Sequence, residues 1–362
     1  MSPVRLVARR EVTERSRERS FMISTGITLL IIVAVVVVPG LLGVGDPSTY
    51  TVRVTDDASR AVAERAVALA DSFDAQVEIV ADPDADVTLS GGEIHAEEEP
   101  DDELVNLLQV ANQEFDPNAR PPLRLVTAES ADPERDAMAG VAFFAILVLY
   151  GQLLTYGFWV ASGVVEEKSS RVIEVLLATI KPKDLLAGKI LGLGLLGFGQ
   201  LVMLSVFGLA VAGATGTVDI DGNLLVACAL ALGWFVLGYA FYAAAFAVAG
   251  ALVPRQEELQ SSTSPLTMVI LVSFFVGFVV INDPDGTVAQ VTAFIPTTAP
   301  ITMPPRIILG EAAAWEIAAS IGVMLAATAL LIPLAARIYS AVVLRTGSTV
   351  KLSEALRLAS KQ

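Results

Sequence analysis

The chain has 362 residues, of which 54% are hydrophobic and 17% charged, with a positive mean hydropathy and a formal net charge of −15. That usage excludes an ordinary soluble domain and a disordered chain. One histidine, His95, and one cysteine, Cys228, exclude an intrachain disulfide, and no metal triad, Ser-His-Asp set or nucleic-acid patch is recognisable.

A helix needs about 20 mostly apolar residues to cross a bilayer. Six charge-free windows clear that length: 20–45, 137–165, 190–218, 222–254, 259–282 and 317–336. They predict a mainly α-helical integral membrane protein with six transmembrane helices. The first window is too long for a signal-peptide core.

In chain order, residues 1–20 carry six arginines and are expected to form an amphipathic helix on the cytoplasmic side, followed by the first span at 21–45. The island 164–189 holds five basic residues, and five more follow from Arg337 onward. Residues 214–222 have none, and 283–316 have only Arg306. Basic residues stay cytoplasmic, so both termini, including the tail 344–362, are expected inside a plasma membrane.

Residues 46–136 contain 23 acidic and six basic residues, and their alternating patterns differ from those of the spans. Strands are expected at 50–54, 76–80 and 123–127, a hairpin at 86–96 around Gly91-Gly92, and helices at 58–73 and 101–115. A small acidic extracytoplasmic α/β domain is the expectation, with its strand order open. His95 beside Glu97, Glu98 and Glu99 reads as a solvated loop rather than a metal site.

Spans two to six are expected within 137–343. "GLGLLG" at 192–197 matches a dinucleotide fingerprint but lies inside an apolar span with no strand before it. Glycines such as Gly188 and Gly192, at GxxxG spacing, fit close helix packing instead. "AGK" at 187–189 lacks the first glycine and the Ser/Thr of a phosphate loop. The charge-free windows also lack the ionisable groups that ion-coupled pumps use.

Between spans two and three, the island reads as a helix over 166–180, with Glu167 four residues before Arg171 and Arg171 three before Glu174. Pro182 is expected to stop it and Asp184 to cap the next helix. The result is an amphipathic cytoplasmic elbow, 166–184.

The stretch "EEKSSRVIEVLLATIKPKDLLAGKILG" (166–192) resembles the signature of ABC-2 type transporter permeases, most of all the Nat-type sodium-export permeases. A second match, "FIPTTAPITMPPRIILG" (294–310), resembles the family's Pro-rich segment between spans five and six. The resemblance implies a permease with no ATPase site and no cofactor of its own, which exports substrate with energy from a cytoplasmic ABC ATPase subunit carrying ATP and magnesium. It also implies a second permease copy or a homologous permease as dimer partner. Glu166, Glu167, Lys168, Ser169, Ser170, Arg171 and Glu174 would then couple to the ATPase. Phe294, Pro296, Pro300, Pro304 and Pro305 would belong to an external gate folded back into the membrane within 283–316, its prolines breaking regular helix. Sodium is the substrate the resemblance implies; a lipid, peptide or drug is the alternative cargo, and a membrane-anchored sensor the rival class.

Overall fold

Alternating apolar residues and Gly-Gly turn chemistry govern residues 46–136, whereas long uncharged runs govern the rest. The computed structural model describes residues 2–41, 49–70, 75–82, 85–96, 100–113, 122–127, 133–169, 180–215, 222–343 and 349–360. These fall into two units, Val37–Asp136 on one side and Met1–Val36 with Ala137–Gln362 on the other.

The smaller unit is an α/β sheet. Its strands are β1 (Thr49–Val54), β2 (Gln76–Val80), β3 (Val87–Ser90), β4 (Glu93–Ala96) and β5 (Arg124–Thr127), arranged β2-β1-β3-β4-β5. Only the β3/β4 pair is antiparallel; the other three pairs are parallel. Its two-residue loop has Gly91 at φ 59° and Gly92 at φ 85°. A turn that needs positive φ at both central positions suits strand twist, and glycine adopts it without steric cost. Two helices, designated α3 (Asp57–Leu69) and α4 (Asp102–Gln113), bury Val62, Ala66, Leu104 and Leu108 with Val52, Leu89 and Ile94 of the sheet. Asp56 caps α3. Its carboxylate accepts from the Ser59 N–H at 2.8 Å, the Ser59 hydroxyl at 2.7 Å and the Gly91 N–H at 2.9 Å.

Those three donors, led by the Gly91 amide, lower the Asp56 pKa to about 2. A depressed carboxylate pKa contributes stability that is complete above the unfolded value of about 3.9 and is lost as pH falls through the folded value. Asp56→Ala is therefore expected to speed hydrogen exchange at the Ser59 and Gly91 amides at pH 7. The wild-type unit should lose protection there only in acid, between about pH 4 and pH 2.

The larger unit takes in α1 (Pro3–Arg15), most of α2 (Arg19–Leu41) and of α5 (Pro133–Ser169), and α6 (Pro182–Thr215), α7 (Gly222–Leu252), α8 (Leu259–Asn282), α9 (Thr287–Thr292), α10 (Ala299–Ile308), α11 (Ala314–Val342) and α12 (Leu352–Ala359). Among the described residues five helices are long and apolar enough to cross a membrane: Met138–Ser169, Pro182–Ala214, Leu224–Leu252, Gln256–Asn282 and Ala314–Val342. The first charge-free window lies on α2, where Arg19–Ala34 forms a shorter apolar helix.

Two local expectations are corrected, at residue 166 and at Asp184. No new helix begins at residue 166, because nothing between Val165 and Ser169 interrupts α5 and its 37 residues run straight through. Pro182 opens α6, where at the first helical position its missing N–H is no loss, and the helix it is expected to stop lies outside the described residues. Asp184 then lies in the first turn, where a carboxylate favours the helix dipole, and its own N–H bonds the Lys181 carbonyl at 2.9 Å.

The core gathers Tyr156 and Val160 of α5, Leu193 and Leu201 of α6, and Phe235, Tyr242 and Phe246 of α7. Close approach between α5 and α7 depends on Gly250, where an added Cβ would lie 2.5 Å from the Ala161 carbonyl oxygen. Helix α12, for which the sequence reading gave no element, packs Ala355 and Ala359 onto Ile338 and Val342 of α11.

Candidate functional site

Helix α1 meets the bundle at the start of α6 and beside the end of α5 at Ser169. Helix α1 follows the first turns of α6, four residues for four. At Gly188 an added Cβ would lie 2.6 Å from Val7 Cβ, and at Gly192 it would lie 2.7 Å from the Ala8 carbonyl oxygen. The GxxxG spacing is thus a packing groove. Gly194 and Gly197 likewise make room for Tyr239 and for Tyr156 with Phe235, so the glycines of the apparent dinucleotide fingerprint are occupied by helix contacts.

This approach buries charge. Lys189 Nζ lies 2.8 Å from Glu11 Oε1 and 3.1 Å from Glu167 Oε1, with side chains 4%, 7% and 14% exposed respectively. The lysine chain lies on Gly163, where an added Cβ would fall 2.6 Å from Nζ. Lys168 is buried and donates to the Ala251 carbonyl at 2.6 Å. Three helices and α1 are therefore joined by charged groups that the charge-free windows do not contain.

Glu166 stays exposed, 3.6 Å from Arg15, whose guanidinium lies 5.7 Å from the Trp159 ring centroid. Ser169 is also exposed, and its hydroxyl donates to the Glu166 carbonyl. Of the run proposed for coupling, Glu166 and Ser169 face outward, whereas Glu167 and Lys168 are engaged inside. Ser170, Arg171 and Glu174, with most of the helix expected over 166–180, lie outside the described residues.

At the opposite end, the chain between α8 and α11 turns back into the bundle. Helix α9 and the buried helix α10 are joined by a link whose Thr297 carbonyl accepts from Tyr242 at 2.5 Å and from Ser273 at 3.2 Å. Ser320 donates to the Ala293 carbonyl. Ser273 is nine residues from the α8 terminus at Asn282, so the link reaches about 14 Å along that helix. Irregular backbone at such depth needs internal donors of this kind. Pro300 packs over Gly238, at 2.6 Å from the position a Cβ would take.

The prolines do not break regular helix throughout. Pro300 sits in the first turn of α10, and the helix continues through Pro304 and Pro305. Burial against α7 and α8 holds the turns together where intrahelical donors are missing. Pro296 lies in the link before it, and Phe294 stacks on Trp315 with ring centroids 6.2 Å apart.

Sequence reasoning missed the anchor of this segment. Arg306 is 1% exposed; its Nε donates to the Pro284 carbonyl at 2.8 Å, and its Nη2 donates to the Glu316 carboxylate at 3.1 Å and the Glu311 carbonyl at 3.2 Å. Glu316 also accepts from the Ala313 N–H at 3.0 Å, fixing the start of α11. The signal was Arg306 itself, the lone basic residue of 283–316. Among the described residues no group of three or more His, Cys, Asp or Glu side chains is gathered to hold a metal ion. His95 pairs with Glu93 at 3.5 Å on β4.

No solved structure matches the chain. The uncharacterized protein YhaP of Bacillus subtilis is 29% identical over 245 residues, covering 63% of this chain and 58% of the relative. The uncharacterized protein MJ1024 of Methanocaldococcus jannaschii is 25% identical over 218 residues, covering 60% and 53%. The chain thus matches little more than half the length of each relative. A family model described as ABC-2 family transporter protein matches residues 101–337, a stretch that takes in both the charged node at Lys189 and the folded-back segment. The chain belongs to the ABC-2 family of transporter proteins, as a membrane transport component.

Proposed function

We propose that this chain is the transmembrane subunit of an exporter driven by a separate cytoplasmic ABC ATPase, which binds ATP and magnesium. Family membership carries the reading. The exposed pair Glu166 and Ser169, at the end of a helix locked to α1 and α6 by Lys189, supplies a rigid surface from which a partner's motion can enter the bundle. Mixed charge suits a protein surface, whereas a helix lying on lipid favours Lys and Arg on its polar face.

In this reading α2 is a sixth span, both termini are cytoplasmic, the α/β unit is extracytoplasmic and the membrane is the plasma membrane. The Lys/Arg asymmetry supports that orientation. A second permease copy or a homologue completes the pathway, and the segment 283–316 with Phe294, Pro296, Pro300, Pro304 and Pro305 forms its external gate. Sodium is the proposed cargo, on the resemblance of 166–192 and 294–310 to Nat-type permeases. ATPase stimulation by sodium in the reconstituted complex tests that assignment, and stimulation by a lipid or peptide instead would replace it.

Glu166→Arg tests the coupling surface. Glu166 is exposed and its contact with Arg15 is long, so the variant should insert and fold as the wild type does. It should lose most of the co-purifying ATPase, because reversing a charge at a docking contact adds repulsion as well as removing attraction. Full co-purification and export by this variant would move the docking surface elsewhere.

A further inference from the structure

Helix α1 and span α6 flank an open surface cavity of about 390 Å³ lined by Arg5, Ala8, Arg9, Val12, Thr13 and Leu195. Its chemistry is divided. Arg5, Arg9 and Thr13 stand one turn apart along one edge of α1, while Ala8, Val12 and Leu195 make an apolar wall.

The two arginines are the uncommitted cations of α1. Arg10 is taken by Glu14 at 2.9 Å and Arg15 by Glu18 at 2.8 Å, while Glu11 is held by Lys189. Among the described residues no carboxylate pairs with Arg5 or Arg9. Both are exposed, so their charge faces whatever fills the cavity.

The apolar wall continues along α6. Leu195 is 63% exposed, and Phe198, one turn deeper, is exposed as well. The span Pro182–Ala214 has 33 residues, whereas about 20 suffice to cross the hydrocarbon. About a dozen residues at its start can therefore stand at headgroup level, which puts Leu195 near the boundary where acyl chains begin.

We infer that this cavity is a binding site for one anionic glycerophospholipid. The lipid phosphate lies between the Arg5 and Arg9 guanidiniums, which match phosphate oxygens in bidentate geometry. An acyl chain leaves over Leu195 and Phe198. The bound lipid is then wedged between α1 and the helix carrying Lys189, so lipid charge bears on the same helix pair as the buried node. This inference needs only the membrane setting and is independent of the ATPase and cargo assignments.

The test is native mass spectrometry of the purified full chain in detergent, titrated with phosphatidylglycerol or phosphatidylcholine. One phosphatidylglycerol should bind in preference to phosphatidylcholine. R5Q/R9Q should weaken it roughly 30-fold, the loss for two cationic contacts. R17Q/R19Q removes two arginines outside the cavity and should leave binding unchanged. Excess glycerol phosphate should fail to displace the lipid, because it lacks the acyl chain. Circular dichroism of R5Q/R9Q should match the wild type, since both side chains are exposed. Equal binding of the two lipids, an equal loss in R17Q/R19Q, or full displacement by glycerol phosphate would each overturn the site.

Discussion

Replacing Lys189 by Met is expected to destabilise the protein by about 3–5 kcal/mol, the cost of leaving partners of a buried ion pair uncompensated. Two carboxylates, Glu11 and Glu167, share this one ammonium at 2.8 and 3.1 Å. Without it they repel across a site with little water, and α1 should leave the groove at Gly188 and Gly192. The cost belongs to the broken set rather than to an ion pair's net worth. A triple variant that also carries Glu11→Gln and Glu167→Gln should therefore recover much of the loss, because neutral groups carry no such penalty. Thermal unfolding in detergent reads both effects. A Lys189→Met protein as stable as the wild type within about 0.5 kcal/mol would show that the cluster is hydrated and structurally idle.

The second large effect is expected at Arg306. Its guanidinium joins the Pro284 and Glu311 carbonyls to the Glu316 carboxylate, so one side chain ties both ends of the folded-back segment to the start of α11. Arg306→Met should cost about 3–5 kcal/mol and open residues 283–313 to protease. Arg306→Lys should fail to rescue, because a single ammonium cannot span three acceptors that a planar fork reaches at once. Arg306→Met combined with Glu316→Met should recover part of the stability, since no lone charge stays buried, but not the closed segment. Export should fall in all three. A protease-resistant segment in Arg306→Met would mean that Tyr242, Ser273 and Ser320 hold the link unaided.

Local signals were legible. The strand expected at 76–80 forms at those residues, and Gly91-Gly92 turns the hairpin, because alternation and turn chemistry are written within a few positions. Long apolar windows 137–165, 190–218, 222–254, 259–282 and 317–336 coincide with the five membrane-length helices for the same reason. The charged node was not legible: Glu11 and Lys189 are 178 positions apart, and nothing local distinguishes either from a solvated residue. The burial of Arg306 and Glu316 depends on a chain reversal that the windows do not encode. Prolines read as helix breakers, yet α10 passes through Pro304 and Pro305, since tertiary burial overrides local preference there. Glu167 was read toward Arg171 along its own helix, whereas its observed partner, Lys189, comes from the next span.

The central claim is that a separate ATPase meets the bundle at the end of α5. A photo-reactive amino acid at Ser169, in cells that also make a candidate ABC ATPase subunit, tests it most directly. Ser169 is exposed and lies beside Glu166, and Arg60, exposed on α3 of the α/β unit, serves as the reference position. The account predicts a permease–ATPase cross-link from residue 169 and none from residue 60. A cross-link from residue 60 with none from residue 169, while the two proteins still co-purify, would contradict it.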